Sequence, residues 1–373
     1  MAGKNIRVMV VDDSAVMREI ISDLISQAPG LEVIATANDG QHAIEQLRDV
    51  TPDVITLDVQ MPRMGGLETL DQILLRKPLP VIMVSSLTQM GAGITLDALD
   101  RGALDYIGKP ENMMEVETVL GGELIRKIHA MAGTDVRRML RIRQERQDRA
   151  AERQQKAVVV EPSKTATVEP ALNLSDKCIA IGISTGGPPA LASLFETLQG
   201  PTPPIVIVQH MPPKFTKSFA WRLDSLSALS VKEAETGDIL KPDHVYVAPG
   251  GMHLHLIPNG RGAKIRVRDG DPVSGHRPSV DVMMKGAAEI YGDRCLGVIM
   301  TGMGRDGSDG CGAIKAAGGF VLGQDEATSD VYGMNKVAFR EGHVDRQFSL
   351  DNAAVEITRQ MRKLWARVPV GTS

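Results

Sequence analysis

The feature that most limits the possible folds is a regular alternation of short apolar runs with longer amphipathic segments. In the first 125 residues the apolar runs are rich in Val and Ile and nearly uninterrupted, as in "IRVMVV", "DVITLDV" and "LPVIMVSS". Such runs are typical of parallel strands buried on both faces, and the segments between them have the periodicity of helices. The repeats therefore predict a small doubly wound α/β domain over residues 1–125.

The same alternation resumes near residue 176. Strands are predicted for "CIAIGI", "PIVIVQH", "HVYVAP", "CLGVIMTG" and "GFVLGQ", and a helix for "SVDVMMKGAAEIYG". The segment "HLHLIPNGRGAKIRVRD" has the pattern of an antiparallel hairpin that turns at Asn259 and Gly260. We therefore expect a second doubly wound parallel sheet, a Rossmann-like domain with an antiparallel hairpin, over residues 176–370.

Residues 126–175 have a different composition and predict a linker. "DVRRMLRIRQERQDRAAERQQK" is dense in Arg and Gln, which favours a solvated helix, and "AVVVEPSKTATVEPALNLSDK" favours flexible chain. The Arg-rich segment also suggests a nucleic-acid contact. Acidic residues are interspersed in it and no aromatic side chain is available to stack on bases, so we favour a solvated helix without nucleic-acid binding.

Composition excludes several other classes of protein. The formal net charge of the 373 residues is −4, so no overall positive charge attracts nucleic acid. No apolar run approaches the roughly 18 residues of a membrane span, and the first residues lack the layout of a signal peptide. The three cysteines are widely spaced in apolar or Gly-rich settings. Reduced core thiols in a cytoplasmic protein are the expectation, rather than disulfides or a zinc site.

Polar side chains follow the predicted strands of the first domain. Asp12 and Asp13 follow the first strand, Asp58 ends the third, Ser85 ends the fourth and Lys109 follows the fifth. The carboxyl ends of parallel strands meet at one edge of a sheet, so these groups should converge there. Three carboxylates at one edge suit Mg²⁺, and an aspartate beside Mg²⁺ can accept a phosphoryl group. The alternative is that the acids are solvated on loops.

The motifs "VVDDS", "ITLDVQMP", "MVSS" and "DYIGKP" resemble those of response-regulator receiver domains. The resemblance implies phosphorylation at Asp58 and a switch that involves Ser85 and Tyr106. From their placement at the sheet edge, Lys109 would supply a charge and Ser85 a hydroxyl to the phosphoryl oxygens. The resemblance also implies a Mg²⁺ site formed by Asp12, Asp13 and Asp58. One departure is visible, because "MPRMGGLE" has Gly65 where such regulators usually carry an acid. This puts a local turn contact in doubt.

The stretch "IAIGISTGGPPALASL" predicts a buried strand, a Gly-rich turn and a helix that begins near two prolines. It contains G-x-S-x-G, the pattern of a turn that presents a nucleophilic serine, here Ser184. Two other interpretations fit the same residues. Ser184 could be the N-cap of the helix, or the glycines could bind an anion at the N-terminus of the helix.

A nucleophilic serine needs a base and an orienting acid. His210 ends one predicted strand and Asp306 follows another, so both should reach the same sheet edge as Ser184. The order Ser, His, Asp along the chain differs from that of α/β-hydrolases, and we reject that fold. His253 and His255 could bind a metal, but no third ligand is in register. His276 opens a helix and is a candidate contact for substrate or for a catalytic side chain.

"IGISTGGP", "QHMPPKFTKSFAWRL", "YVAPGGMHL", "HRPSVDVMM" and "MTGMGRDGSDG" together resemble the catalytic domain of the CheB family, the chemotaxis protein-glutamate methylesterases. The resemblance implies a Ser184, His210 and Asp306 triad, with an oxyanion site at the backbone around Thr185 and Met303. It implies hydrolysis of glutamate γ-methyl esters and deamidation of glutamines on chemoreceptors, without a cofactor for that reaction. A histidine kinase of the chemotaxis system would donate the phosphoryl group.

Two other functions remain to be compared. In the first, the second domain of a phosphorelay regulator only binds a partner and Ser184 caps a helix. The complete Ser, His and Asp set argues against this. In the second, the chain is a DNA-binding response regulator, but no helix-turn-helix signature or basic recognition helix follows residue 176.

Overall fold

The computed structural model describes residues 5–86, 88–109, 120–157 and 174–365. The chain divides into two compact units, the first made mainly of residues before Arg141 and the second mainly of residues from Arg141 onward. Both are built from parallel sheets with intervening helices, which confirms the predicted fold class. The domain boundaries near residues 125 and 175 stay predictions, and the predicted flexible segment lies largely outside the described residues.

The first unit contains a parallel sheet of five strands in the order β2-β1-β3-β4-β5. The strands are β1 (Ile6–Val11), β2 (Leu31–Ala37), β3 (Val54–Asp58), β4 (Val81–Ser86) and β5 (Asp105–Lys109). All five residues of β3 are buried, as the uninterrupted apolar sequence predicts for a central strand. The strand order reverses between β1 and β3, which places a ligand site at their carboxyl ends.

Helices connect these strands and continue beyond them. They are α1 (Ala15–Gln27), α2 (Gly40–Gln46), α3 (Gly66–Arg76), α4 (Gln89–Arg101), α5 (Gly121–Met131) and α6 (Val136–Ala157). The Arg-rich segment forms α6, a helix of 22 residues, as its composition predicts. No helix within the described ranges combines the length and the apolar character that crossing a lipid bilayer requires.

The second unit contains a parallel sheet of seven strands in the order β14-β13-β12-β6-β7-β9-β8 and a separate antiparallel pair, β10 and β11. The strands are β6 (Cys178–Ile183), β7 (Ile205–Gln209), β8 (Ser230–Glu233), β9 (His244–Val247), β10 (His253–Asn259), β11 (Gly262–Arg268), β12 (Cys295–Ile299), β13 (Phe320–Gln324) and β14 (Arg346–Phe348). The sequence did not predict β8 and β14. They are short edge strands with several polar residues, and edge strands lack a continuous apolar run.

The helices that follow these strands begin close to the carboxyl edge of the sheet. They are α7 (Gly187–Thr197), α8 (Phe215–Leu226), α9 (Val280–Tyr291), α10 (Ser308–Ala316), α11 (Met334–Arg340) and α12 (Ala353–Trp365). Helix α9 packs directly on β6, because a Cβ atom at Gly182 would lie 2.2 Å from Val280 Cγ1. Gly182 therefore allows the N-terminus of α9 to approach the end of β6.

The predicted hairpin is present, but its turn lies one residue later than expected. Asn259 pairs with Gly262, so Gly260 and Arg261 form the two-residue loop. Gly260 has a φ of 63°, and a positive φ at the first loop position favours glycine. The three cysteines are free and buried, as predicted.

Candidate active site

Three neighbouring strands bring the predicted triad to one edge of the seven-stranded sheet. Strand β6 lies between β12 and β7, and Ile183 at the end of β6 is in register with Gln209 at the end of β7. Ser184 and His210 are the residues that follow these two strands. Asp306 lies in the segment that follows β12. The strand order reverses between β6 and β12, where open α/β sheets form their ligand sites.

Ser184 is held by its backbone, and its side chain does not cap the following helix. The Ser184 amide donates to the Thr301 carbonyl at 3.0 Å. Helix α7 has Gly186 as its N-cap, with a φ of 76°, so the interpretation of Ser184 as the N-cap is wrong. In this turn Gly186 adopts the left-handed conformation, and Ser184 has a negative φ. A Cβ atom at Gly302 would lie 2.8 Å from Ser184 Cβ, so only glycine permits this close approach.

The imidazole ring of His210 has one paired and one unpaired nitrogen. Nε2 of His210 lies 2.8 Å from Oδ2 of Asp306. Nδ1 is buried and, within the described part of the chain, has no hydrogen-bond partner. When Nε2 carries the proton and donates to Asp306, Nδ1 is left with a free lone pair. A ring in this state can accept a proton from a neighbouring hydroxyl.

Asp306 is fully buried and accepts hydrogen bonds at both carboxylate oxygens. In addition to His210, the donors are the hydroxyl of Ser279 at 2.8 Å and the amides of Val280 and Asp281 at 2.7 and 3.0 Å. Burial raises the pKa of Asp306, but the hydrogen bond with His210 and these amides lower it to about 2. The carboxylate is therefore ionised near neutral pH and can orient the histidine.

His276 lies beside the candidate base. Its ring is stacked on that of His210, with centroids 3.8 Å apart and an angle of 6° between the ring planes. The sequence suggested His276 as a contact for substrate or for a catalytic side chain. The structure places it against the candidate base.

The two predicted oxyanion residues lie on the loops that flank Ser184. Thr185 is buried, and its carbonyl accepts the hydroxyl of Thr301 at 3.0 Å. Met303 follows Gly302, whose carbonyl accepts the amide of Met334 at 2.8 Å. Both loops are therefore fixed by hydrogen bonds to neighbouring segments, as a preorganised oxyanion site requires.

Several residues that support the site were not identified from the sequence. Nε2 of Gln209 donates to the carbonyls of Ser184 and His210, at 3.0 and 3.1 Å, and so links the ends of β6 and β7. Oε1 of Gln324 accepts the Thr301 amide at 2.9 Å. A polar residue at the end of an apolar strand is the one signal that could have identified Gln209 and Gln324. The contact between Ser279 and Asp306 spans 27 residues and has no local signal.

The acidic cluster predicted in the first unit is present. Asp12, Asp13 and Asp58 each offer a carboxylate oxygen, and these oxygens lie within 4.8 Å of one another. Nζ of Lys109 lies 2.8 Å from Oδ2 of Asp12 and 2.8 Å from Oδ2 of Asp58. Burial raises the pKa of Asp58, and the charge of Lys109 partly opposes this effect. The spacing and the oxygen ligands fit one hard divalent cation.

The predicted switch residues lie on the last two strands of this sheet. Ser85 is fully buried on β4, and its hydroxyl lies 3.4 Å from the Gly91 carbonyl. Tyr106 is buried on β5, and its carbonyl accepts Nζ of Lys127 at 2.6 Å. Ser85 pairs in register with Gly108, next to Lys109, so Ser85 lies near the carboxyl end of β5, where Lys109 meets the acidic cluster.

Gly65, where receiver domains usually carry an acid, lies at the N-cap of a helix in the structure. Gly65 is the N-cap of α3, with a φ of −72°, and α3 has no side-chain cap. A Cβ atom there would have no neighbour within 4 Å among the described residues. The acidic cluster forms without an acid at this position.

Of the two histidines on β10, His253 has a structural role. Nδ1 of His253 accepts the Ser279 amide at 3.3 Å, and Nε2 lies 2.9 Å from the Asp271 carbonyl. Among the described residues, the one group with the geometry to hold a metal is the acidic cluster of the first unit. His253 instead supports Ser279, which donates to Asp306.

Two protein families match different parts of the chain. Residues 8–120 match the response regulator receiver domain family, and residues 179–357 match the CheB methylesterase family. A protein-glutamate methylesterase/protein-glutamine glutaminase of Pyrococcus abyssi is 43% identical over 369 residues, which cover 98% of this chain and 96% of the relative. A protein of the same name from Pectobacterium atrosepticum is 42% identical over 356 residues, which cover 95% and 97%.

One solved structure is similar to part of this chain. The crystal structure of the Thermotoga maritima CheB methylesterase catalytic domain is 42% identical, covers 49% of this chain and 98% of that chain, and has a TM-score of 0.48. The relatives from Pyrococcus abyssi and Pectobacterium atrosepticum match nearly the full length of both chains. The chain therefore belongs to the CheB family of response-regulator methylesterases.

Proposed function

We propose that the second unit is a serine hydrolase that removes methyl groups from glutamate γ-methyl esters. The Ser184 oxygen attacks the ester carbonyl while Nδ1 of His210 takes the hydroxyl proton. The bond from carbon to the methoxy oxygen then breaks, and the proton passes from His210 to that oxygen, so methanol leaves. Water repeats the sequence at the acyl-serine, which frees the glutamate and restores Ser184.

The single observation that carries this proposal is the state of the His210 ring. One nitrogen is bound to the buried Asp306 carboxylate at 2.8 Å, and the other is buried without a partner among the described residues. His210 follows the strand adjacent to that of Ser184. Buried ring nitrogens are normally hydrogen-bonded, so a buried nitrogen without a partner, next to the strand of a candidate nucleophile, fits a general base.

Negative charge that develops on the carbonyl oxygen needs donors close to Ser184. We assign this role to the backbone amides around Thr185 and Met303, since their loops flank Ser184 and are held by hydrogen bonds to Thr301 and Met334. His276 would keep the His210 ring in its plane through the stacked contact.

The relatives indicate the substrate. They are named protein-glutamate methylesterase/protein-glutamine glutaminase, so we propose that this chain acts on methylated glutamates and on glutamines of chemoreceptor cytoplasmic domains. A glutamine side chain is nearly isosteric with the methyl ester, and attack by Ser184 would release ammonia in place of methanol. The chain would then serve adaptation in chemotaxis, in the cytoplasm.

The first unit would regulate this activity through phosphorylation. We propose Asp58 as the phosphoryl acceptor, a histidine kinase of the chemotaxis system as the donor, and Asp12, Asp13 and Asp58 as the residues that would hold Mg²⁺. The cation would neutralise charge on the phosphoryl oxygens. Lys109, already paired with Asp58, would contact the phosphoryl group, and movement of Ser85 and Tyr106 would follow.

The experiment that tests this function measures methanol and ammonia release from a methylated, glutamine-containing receptor fragment. The full-length protein should release both products, faster with a small-molecule phosphodonor and Mg²⁺ than without. The family resemblance implies that the unphosphorylated receiver domain inhibits, so a fragment that starts at Leu174 should be faster than the unphosphorylated chain and insensitive to the phosphodonor. Release of neither product by the full-length protein would contradict the proposal.

A further inference from the structure

Two buried aspartates of the second unit exchange hydrogen bonds between two helix N-termini. Asp306 precedes Gly307, the N-cap of α10, and its carboxylate accepts the amides of Val280 and Asp281 in the first turn of α9. Asp281 lies in that turn of α9, and its Oδ1 accepts the amides of Gly307 and Gly310 at 2.9 and 2.7 Å. The Asp306 carboxylate therefore binds the first turn of α9, which contains Asp281. The Asp281 carboxylate in turn binds the start of α10, which directly follows Asp306.

The reciprocal arrangement determines where Asp306 lies. Its Oδ2 accepts both Nε2 of His210 at 2.8 Å and the Val280 amide at 2.7 Å, and its Oδ1 accepts the Asp281 amide at 3.0 Å. The carboxylate cannot rotate toward another partner without losing amides at the start of α9. The direction of the hydrogen bond to His210 thus depends on how the segment around residue 306 sits against α9.

Asp281 also holds the segment around residue 306 through a hydrogen bond of its own. It accepts the amide of Gly307, the residue directly after Asp306. Gly307 has a φ of 92°, and a Cβ atom there would lie 2.7 Å from Val280 Cγ1, so the turn is in close contact with α9. The remaining oxygen of Asp281 accepts the hydroxyl of Ser274 at 3.2 Å, which orients the carboxylate.

A second buried carboxylate beside Asp306 is costly, and this argues that its position matters. Asp281 is 1% exposed. Burial raises the pKa of Asp281, and the charge of Asp306 raises it further. The hydrogen bond from the Gly310 amide lowers it and so opposes this shift. The amides at the start of a helix favour an anion, which offsets part of the cost of burial.

We propose that Asp281 is a positioning residue for catalysis, which holds the turn of Asp306 where the carboxylate meets Nε2 of His210. Asp281 does not contact His210 or Ser184 and acts through Asp306 alone. This inference rests on the proposed hydrolase function. If Asp281 has this role, its loss should slow the chemical step and leave substrate binding nearly unchanged.

The test compares steady-state methanol release by full-length variants on a methylated receptor fragment. We expect Asp281→Ala to lower kcat about 30- to 100-fold with KM within about twofold, because small displacements of a catalytic group have large effects on rate. Asp281→Asn should retain kcat within about fivefold, since an amide oxygen can still accept the Gly307 and Gly310 amides. In an Asp306→Ala background, Asp281→Ala should change kcat by less than about threefold, because its partner is already absent.

Asp309→Ala provides the matched control. Asp309 lies in the first turn of α10, is partly exposed and pairs with Arg305 at 3.0 Å, and its replacement should leave kcat within about twofold. If Asp281→Ala does not give folded protein, Asp281→Glu replaces it, with the same expected loss of kcat, because the longer side chain displaces the carboxylate while keeping its charge.

Two results would overturn the proposal. One is a kcat within threefold of wild type for Asp281→Ala, or for Asp281→Glu in its place. The other is an undiminished loss of kcat in the Asp306→Ala background, which would mean that Asp281 acts by general destabilisation. A wild-type protein that releases no methanol would instead remove the proposed hydrolase function, and this inference with it.

Discussion

The rings of His210 and His276 lie face to face, with centroids 3.8 Å apart and planes 6° from parallel. His210 is held at its edge by Asp306 through Nε2, and His276 covers one of its faces. The two contacts restrain different motions of the ring. The hydrogen bond fixes rotation within the ring plane, and the stack restrains tilting out of it.

This stack predicts a moderate role for His276. We expect His276→Ala to lower kcat about 3- to 10-fold, which corresponds to the roughly 0.5–1.5 kcal/mol of an aromatic pair. His276→Phe should restore most of the rate, because it keeps the flat ring without the nitrogens. Methanol release by the two variants decides the matter. Equal losses for Ala and Phe would mean that a nitrogen of His276, rather than its ring face, is needed.

The low pKa of Asp306, about 2, predicts how stability depends on pH. An aspartate in an unfolded chain titrates near ~3.9, so the folded-state pKa is depressed. The stabilisation is therefore present above about pH 4 and is lost as the pH falls toward 2. We expect Asp306→Asn to lower the free energy of unfolding of the second unit by about 2 kcal/mol at pH 6, with a shrinking difference between about pH 4 and pH 2.

Denaturant unfolding followed by tryptophan fluorescence can measure this effect. Both tryptophans, Trp221 and Trp365, belong to the second unit, so the signal reports on it alone. Asp309→Asn, a partly exposed neighbour, serves as the control and should have little effect at any pH. A destabilisation by Asp306→Asn that stays constant from pH 6 to pH 2 would show that the Asp306 charge does not stabilise the fold.

The acidic cluster predicts that labelling of the receiver domain depends on a divalent cation. A small-molecule phosphodonor should label wild-type protein only with Mg²⁺ or Mn²⁺, and Asp58→Asn should not be labelled. Asp13→Asn removes an exposed member of the proposed Mg²⁺ site and should raise the Mg²⁺ concentration for half-maximal labelling about 10-fold or more. Labelling can be followed by intact mass. Labelling that persists in EDTA would show that the three aspartates do not form a functional metal site.

The uncapped N-terminus of α3 predicts that an acid at position 65 stabilises the receiver domain. Gly65→Asp supplies an acceptor for the first turn and reduces the freedom of the unfolded chain, together worth about 0.5–1 kcal/mol. Gly65→Ala is the matched control, since it restricts the backbone without offering an acceptor. Calorimetry of the receiver transition measures both. A Gly65→Asp variant no more stable than Gly65→Ala would contradict the capping argument.

The parts of the site that could be predicted are those that local sequence encodes. Ser184, His210 and Asp306 each follow a Val- or Ile-rich strand, and parallel strands bring such residues to one edge. The roles of Ser279 and Asp281 could not be predicted in this way. They depend on helix α9 approaching a loop about 25 residues later in the chain, and the approach is possible because Gly182 and Gly307 leave space for Val280.

The fold shows the same distinction. The central strands have continuous apolar runs and were predicted, whereas the edge strands β8 and β14, of four and three residues, were missed. The hairpin was predicted but its turn is one residue later, because the loop position with positive φ is Gly260 rather than Asn259. Local patterns thus indicate buried elements, while edges and exact turns depend on tertiary contacts.

The central claim is that Ser184 is the nucleophile and His210 its base. The most direct measurement is methanol release from a methylated receptor fragment by wild-type protein, Ser184→Ala, His210→Ala and Ser193→Ala, all shown to be folded by tryptophan fluorescence. Ser193 lies on α7, away from the sheet edge, and serves as the control. We predict wild-type rates for Ser193→Ala and a loss of about 10³-fold or more for each of the other two variants. Turnover near that of wild type by Ser184→Ala would contradict the account.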